Sequence, residues 1–258
     1  MHSSFTLCGI AATIGAALLS AGEPSSLLSS FLLSGLDSAY TKEIHRELDL
    51  FAAWEPSSRF DLGDYGEMDG KMFKKLGNIK RFGINIRKKT YESGPFDYSS
   101  SGAISLGLDI GAKDSKGDYS VDLKLDFSKE KSILFMADGM TTERIENIGA
   151  VGDALVELYK EKGKDWKLSY VVITEVKRAS SGLVVISQDA DTKVTVSGKA
   201  AIKKDGAKIA DIDLRNLAVQ VTKGKAFTQT LSAESTPLLQ LHEVKDPLLK
   251  KPFFTEYK

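Results

Sequence analysis

The strictest pattern in the chain lies between Gly102 and Phe127, where apolar and polar residues alternate along two runs. A period of two is typical of β-strands, because successive side chains point to opposite faces of a sheet. A polar stretch, Lys113–Lys116, separates the runs and precedes Gly117, which predicts a β-hairpin. Its apolar face comprises Ile104, Leu106, Leu108, Ile110, Tyr119, Val121, Leu123, Leu125 and Phe127.

The length of the loop predicts the register of this hairpin. With four loop residues, every apolar side chain faces another apolar side chain across the pair, and a loop one residue longer or shorter puts the faces out of phase. The predicted pairs are Ile110 with Tyr119, Leu108 with Val121, Leu106 with Leu123, and Ile104 with Leu125.

Two environments suit a ribbon with one hydrocarbon face and one charged face. One is a soluble sheet with a helix over its apolar face. The other is the wall of a transmembrane β-barrel, because eleven residues such as Gly102–Ala112 reach about 26 Å at a tilt near 45°, close to the apolar band of such a barrel. Alternation alone favours the soluble sheet, which is the commoner structure.

A second amphipathic ribbon is predicted between Trp166 and Ile202. Strands at Trp166–Val176 and Gly182–Ser187 lead into a loop at Gln188–Thr192, after which Lys193–Ile202 returns antiparallel. In this register Ile186 faces Val194, and Val184 faces Val196.

Between the ribbons, Ser132–Met136 is predicted to be a short buried strand, and Thr141 and Thr142 are expected to begin a helix that ends near Lys162. Apolar residues on this segment recur at spacings of three and four: Ile145, Ile148, Val151, Leu155, Leu158 and Tyr159. Such a helix is able to cover the first ribbon in a soluble form. From Asp211 onward the chain is expected to form a strand, a turn at Lys223–Lys225, another strand and a short tail.

The N-terminal segment Phe5–Ala21 is apolar and almost uncharged. A helical arm, a secretory signal peptide and a membrane-spanning helix compete as interpretations. No Lys or Arg precedes the apolar run, which weakens the signal peptide, and the run is short and rich in Gly and Ala for a spanning helix. We favour a helical arm over residues 1–45. The single cysteine, Cys8, is expected to be a small buried residue, with acylation as the alternative.

Charge is balanced over the whole chain, with 35 Lys plus Arg against 35 Asp plus Glu, so any electrostatic role must be local. A basic run without Asp or Glu consists of Lys71, Lys74, Lys75, Lys80, Arg81, Arg87, Lys88 and Lys89. An anionic membrane surface and a solvated strand face explain this run equally well. Nucleic acid is disfavoured, because no stacking aromatics are spaced among these charges.

Sequence signatures of catalysis are absent. The chain has no nucleophile elbow, no P-loop and no Cys/His metal spacing, and His2, His45 and His242 are scattered. Asp61, Asp64 and Glu67 are expected to be surface turn residues. The prediction is therefore a protein that is not an enzyme and uses no cofactor or metal.

Several segments resemble the gasdermin pore-forming domain, in the family's order, over about residues 58–246. The segments are Leu62–Gly66, Phe73, Leu76–Ile79, Phe82–Ile86, Tyr170–Val176, Gly182–Ser187 and Thr236–Lys245. The Thr-Glu-Val strand ending at Val176 and the later Thr236-Pro-Leu segment are the most specific pair.

The resemblance implies an α+β fold, a twisted antiparallel β-sheet with flanking helices, that refolds on activation into transmembrane hairpins of a large oligomeric barrel on anionic lipid. Residues 102–127 are then the first inserted hairpin and residues 168–202 the second, the latter contributing Val172, Val184, Ile186, Val194 and Val196. The basic run touches lipid headgroups, and the partners are further copies of the chain or a divergent variant of it.

The expected domains are the arm at 1–45, the pore-forming domain at 46–246 and a short tail at 247–258 without an inhibitory domain. This resembles the short fungal gasdermin-like regulators of cell death, with bacterial gasdermins as near neighbours because of Cys8. The predicted function is killing by plasma-membrane leakage from a cytoplasmic inactive form. The alternative is a soluble β-rich module that binds lipid or protein without forming pores.

Overall fold

The computed structural model describes residues 35–161, 165–200 and 212–258. These residues form two α-helices, a short 3₁₀-helix at Ile79–Phe82, and sixteen strands. The helices are α1 (Leu36–Leu48) and α2 (Ile148–Lys160). The first eight strands are β1 (Phe51–Ala52), β2 (Asp64–Asp69), β3 (Met72–Asn78), β4 (Lys88–Ser93), β5 (Phe96–Ser99), β6 (Ile104–Lys113), β7 (Tyr119–Phe127) and β8 (Ile133–Asp138). The others are β9 (Met140–Ile145), β10 (Tyr170–Arg178), β11 (Ser181–Ser187), β12 (Thr192–Ala200), β13 (Ala218–Lys223), β14 (Ala226–Leu231), β15 (Leu238–Lys245) and β16 (Phe253–Glu256).

The strands form three antiparallel sheets. Sheet A has eight strands, with β10 and β15 paired at its centre and β1, β2, β3, β4, β9 and β16 around them. Sheet B has the order β14-β11-β8-β5, and sheet C has the order β13-β12-β7-β6. This strand-rich architecture with two helices is compatible with the predicted α+β class. The apolar segment of the predicted arm and Cys8 lie outside the described residues.

One hydrophobic core lies between α2 and sheet A. Val151 and Leu155 of α2 are buried with Val172 of β10 and Leu241 of β15. Gly152 allows the close contact with β16, because a Cβ atom at this position would lie 2.7 Å from the ring of Phe254. The residues predicted to form a tail therefore include a strand that pairs with β15 and packs on α2.

A second core fills the space between sheets B and C. Apolar side chains of β7 and β12 in sheet C pack against Leu134 and Met136 of β8 and against Leu183 and Val185 of β11. Each of these four residues is at most 4% exposed. The apolar face of the first predicted ribbon is thus covered by a sheet.

The predicted helix exists, but it begins later than predicted and does not cover the first ribbon. Residues 140–145 form strand β9, whose Thr142 is buried, and the helix begins only at Ile148. A strand forms there instead of a helix, because Thr141 and Thr142 pair with both β4 and β10, which satisfies their backbone hydrogen-bonding groups on two sides. Helix α2 packs on sheet A, and the apolar face of the first ribbon is covered by sheet B.

The second predicted hairpin was wrong in its pairing. Strand β11 pairs with β8 and β14 in sheet B, whereas β12 pairs with β7 and β13 in sheet C. Every residue of β11 is buried, which is typical of an interior strand apolar on both faces rather than of a hairpin arm. Val184 and Ile186 consequently pair with Phe135 and Ile133, not with Val196 and Val194.

The first predicted hairpin exists, with a register two residues away from the prediction. Ile104 pairs with Phe127, Leu106 with Leu125, Leu108 with Leu123, and Ile110 with Val121. A shift of two keeps apolar residues opposite one another, since side chains alternate with that period. A bulge between Ile110 and Lys113 accommodates a longer turn than the one predicted.

Among the described residues, neither α-helix is long and apolar enough to cross a bilayer.

Candidate membrane-inserting sheet

Sheet C has an apolar face that is buried at its centre and partly open at its edges. On the central strands β7 and β12, Leu123, Leu125 and Val196 are at most 2% exposed. On the edge strands, Leu106 and Ile110 of β6 are 43% and 49% exposed, and Val221 of β13 is 39% exposed. The edges therefore present both apolar side chains and unpaired backbone groups.

The opposite face of sheet C is charged and neutralised by cross-strand pairs. Lys124 of β7 hydrogen-bonds to Asp109 of β6 at 2.5 Å. Lys193 of β12 lies 3.1 Å from Asp126 of β7. The sheet therefore holds its polar face together without help from another element.

The tip of the β6–β7 hairpin is closed by Asp114. Its Oδ1 accepts hydrogen bonds from the backbone N–H groups of Lys116 and Asp118, and its Oδ2 accepts one from Lys199 Nζ of β12 at 2.6 Å. The lysine hydrogen bond, followed by these backbone donors, lowers the pKa of Asp114 to about 2. The polar tip is thus a defined turn fastened to the neighbouring strand.

Each strand of sheet C is continued by a strand of sheet B. The chain runs from β5 into β6, from β7 into β8, from β11 into β12, and from β13 into β14, and the order of the strands is the same in both sheets. Sheets B and C are therefore two halves of one four-stranded sheet that is folded over on itself at four bends.

Each of the four bends contains one residue with a left-handed backbone. These residues are Gly102 (φ 65°), Lys131 (φ 59°), Asp191 (φ 55°) and Gly224 (φ 71°). Glycine adopts this conformation without strain, whereas a residue with a Cβ atom does not. Buried serines add hydrogen bonds at the central bends, where Ser187 Oγ donates to the carbonyl oxygen of Lys129 at 2.7 Å and accepts from the N–H of Ser132.

The two central strands keep one register through their bends. In sheet B Ile133 pairs with Ile186, and in sheet C Phe127 pairs with Thr192. The bends between these pairs are residues 128–132 and 187–191, five residues on each strand. Equal lengths mean that residues 119–138 and 181–200 are matched along their whole length.

The eight predicted headgroup-binding residues do not form one cluster. Four have carboxylate partners on neighbouring strands or loops: Lys74 with Asp69, Lys75 with Asp64, Arg87 with Glu146, and Lys88 with Glu143. Lys71 lies over the ring of Phe51, on the side of α1. Within the described residues, Lys71, Lys80, Arg81 and Lys89 form no ion pair. The basic run contains no acidic residue in the sequence, yet half of its charges are paired with carboxylates in the folded protein.

The predicted membrane-inserting residues fall into two groups. Sheets B and C bring together those on β6, β7, β11 and β12, while Val172 is buried in sheet A on β10. The sequence interpretation missed β13 as the fourth strand of sheet C, with Val219 and Val221 opposite Val196 and Val194. It predicted the loop at Gln188–Thr192 and the turn at Lys223–Lys225 but did not identify them as bends between two sheets. Gly102 and Gly224 at strand ends indicate a change of direction and do not show which sheets it joins.

No protein-family model matches the chain, and no curated protein sequence matches it. Among solved structures, the chain is similar to the cryo-EM structure of the gasdermin A3 membrane pore, with a TM-score of 0.36 and 10% identity. The overlap covers 86% of this chain and 94% of that chain. A TM-score of this size is too low to establish a common fold.

Proposed function

We propose that this protein is a gasdermin-like pore-forming effector of cell death that is not an enzyme. In this proposal a cytoplasmic form binds anionic lipid of the plasma membrane, assembles with further copies or with a divergent variant, and unfolds sheet C away from sheet B. Sheet C then crosses the bilayer as part of a closed ring of strands.

The observation that supports this most strongly is the register shared by the two central strands. If the bends straighten into ordinary strand, alternation continues from β7 into β8 and from β11 into β12. Val121, Leu123, Leu125 and Phe127 then share a face with residues of the neighbouring strand: Val184, Ile186, Val194 and Val196. The unfolding therefore costs no pairing between the two central strands. Sheet C keeps its single apolar face, whereas sheet B is apolar on both faces, because Leu134, Met136, Leu183 and Val185 lie on the opposite side.

The dimensions of sheet C fit a bilayer. Strands β6, β7 and β12 have ten, nine and nine residues. A tilted transmembrane strand needs about 9–11 residues. The charged bends, with Lys129, Glu130 and Asp189, would mark one membrane boundary, and the Asp114–Asp118 turn the other.

Assembly follows from the two edges of the folded-over sheet. Its outer strands are β5–β6 on one side and β13–β14 on the other. With four antiparallel strands these edges run in opposite directions, so identical copies standing side by side pair antiparallel, edge to opposite edge. Such heterologous contacts close into rings. Unpaired strand edges are prohibitively costly in lipid, so insertion and lateral pairing should be coupled.

A substitution on the exposed edge strand tests insertion without disturbing the core. Ile110 is 49% exposed, so Ile110→Arg should fold, yet it places a guanidinium on the lipid face at a cost of about 2–4 kcal/mol per copy near the bilayer midplane. Dye release from vesicles containing anionic lipid should fall by at least about thirtyfold.

The matched control is Gly107→Arg, which adds the same charge on the polar face of the same strand, where a Cβ atom has no neighbour closer than 3.7 Å. Wild-type protein and Gly107→Arg should both release dye. Equal release by the two arginine variants would contradict insertion of sheet C.

The second candidate is a module that binds lipid or protein and stays folded. The burial of Leu123, Leu125 and Val196 against sheet B favours it, since these side chains already have a core. The same vesicles separate the candidates, because the module predicts that wild-type protein sediments with them and releases no dye.

A further inference from the structure

The connection between β15 and β16 carries two leucines at the tip of a turn. The N–H of Lys250 donates a hydrogen bond to the carbonyl oxygen of Pro247 at 3.1 Å, which closes a turn with Leu248 and Leu249 at its central positions. These side chains are 104% and 97% exposed. The other exposed large apolar side chains in residues 35–161, 165–200 and 212–258 are 39% to 53% exposed. Leu248 and Leu249 thus have almost no contact with the protein that carries them.

The turn is held firmly although its tip is free. On one side β15 is a central strand of sheet A, and on the other β16 pairs with it from Lys245–Phe253 to His242–Glu256. Phe254 of β16 packs on α2 and stacks on His242, with ring centroids 5.1 Å apart. The leucines therefore project from a fixed base.

The charges beside the tip are basic. Lys250 and Lys251 are exposed and have no carboxylate partner within the part of the chain that the structure describes. The acid on the other side, Asp246, accepts a hydrogen bond from the hydroxyl of Tyr159 at 2.6 Å. Two free ammonium groups next to two exposed leucines form an amphipathic tip.

We propose that the turn Pro247–Lys251 is a membrane anchor, with Leu248 and Leu249 inserted at the boundary of headgroups and acyl chains, and Lys250 and Lys251 against anionic headgroups. A convex tip of this kind needs no complementary pocket, because a fluid bilayer closes around it. Long lysine stems let the charge remain at the headgroup level. The proposal deepens the proposed function by naming the surface that makes first contact, and it rests on that function for its context.

The test uses the full chain with Leu248→Ser and Leu249→Ser combined, and Leu168→Ser as the control, since Leu168 is another exposed leucine at 43%. Binding is measured by sedimentation with phosphatidylcholine vesicles containing 0 or about 30% phosphatidylserine. Thermal unfolding should be unchanged, because the turn has no packing to lose. The double variant should bind the anionic vesicles at least about tenfold more weakly than the wild type, and the control should bind as the wild type does.

A direct readout places an environment-sensitive dye on Leu249→Cys in a Cys8→Ser background. The dye should be quenched by lipids that carry a quencher near the headgroup. A dye that stays in water on vesicle-bound protein, unchanged binding of the double variant, or wild-type protein that does not sediment would each overturn the anchor. Leakage of a dye enclosed in the vesicles is measured separately. A wild-type protein that binds through the turn without causing leakage contradicts the pore and supports the anchor.

Discussion

At the scale of single residues, the folded-over state contains strained backbone at its bends. Lys131 and Asp191 adopt left-handed conformations in the bends of the two central strands. Each costs about 1–2 kcal/mol relative to ordinary strand or helix. Straightening the bends would release this strain, so the soluble form stores part of the free energy that insertion needs.

Substitutions in the bends should therefore change stability and activity in opposite directions. Lys131→Gly relieves strain of about 1 kcal/mol, should raise the urea midpoint of unfolding, and should slow dye release. Gly102→Val forces a β-branched residue to φ 65° with open space around it, so it should lower the midpoint and speed release.

The control for these variants is Gly94→Val, where a Cβ atom also meets nothing within 4 Å and the backbone is not left-handed. Stability is read from urea unfolding, and activity from the initial rate of dye release. Bend variants that change stability but leave the rate of release unaltered would show that the bends do not open.

At the scale of elements, α1 is fastened to the first bend by one carboxylate. Glu43 accepts hydrogen bonds from the hydroxyl of Tyr98 at 2.7 Å and from Ser100 Oγ at 2.5 Å. Burial, together with its own hydrogen bond to Glu43, raises the pKa of Tyr98. Ser100 Oγ also accepts a hydrogen bond from the backbone N–H of Ile133. These hydrogen bonds of Glu43 and Ser100, called the latch below, join α1, the bend after β5, and β8.

Removing the latch should loosen this corner. Glu43→Ala should lower the free energy of unfolding by about 1.5–3 kcal/mol, because two hydroxyls lose a charged acceptor. Amides of β5 should exchange with deuterium faster, while those of β10 in sheet A should not. Glu47→Ala is the control on the same helix, since its carboxylate forms an exposed ion pair with Arg46, its one ion-pair partner among the described residues. Equal protection of β5 in both variants would show that Glu43 carries no such role.

At the scale of the whole molecule, the sequence predicts which segments form strands and which way their side chains face, but it does not predict which strands pair with each other. Alternation correctly assigns β6, β7 and their facing sides, because the period of two is a property of each strand. The loop length misleads, because the side chain of Asp114 closes a larger turn and a bulge absorbs the difference. Strand β11 is assigned to the wrong neighbour, since a strand buried on both faces carries no sign of which sheet it joins.

The bends were the other feature that local pattern could not reveal. Lys131 and Asp191 are ordinary polar residues in ordinary loops, and only the pairing of four distant segments shows that their loops fold one sheet in two. The counter-charges of the basic run were hidden for the same reason, because Glu143 and Glu146 reach Lys88 and Arg87 from β9 and the residues that follow it.

The central claim, that the apolar face of sheet C meets acyl chains, is tested most directly along β6. Single cysteines at residues 105–110 in a Cys8→Ser background are labelled with an environment-sensitive dye, and the protein is added to vesicles whose lipid tails carry a quencher. In vesicles that have lost their contents, the account predicts quenching at Leu106, Leu108 and Ile110, and none at Ser105, Gly107 and Asp109. Emptied vesicles in which all six labels report water, or in which quenching has no period of two, would contradict it.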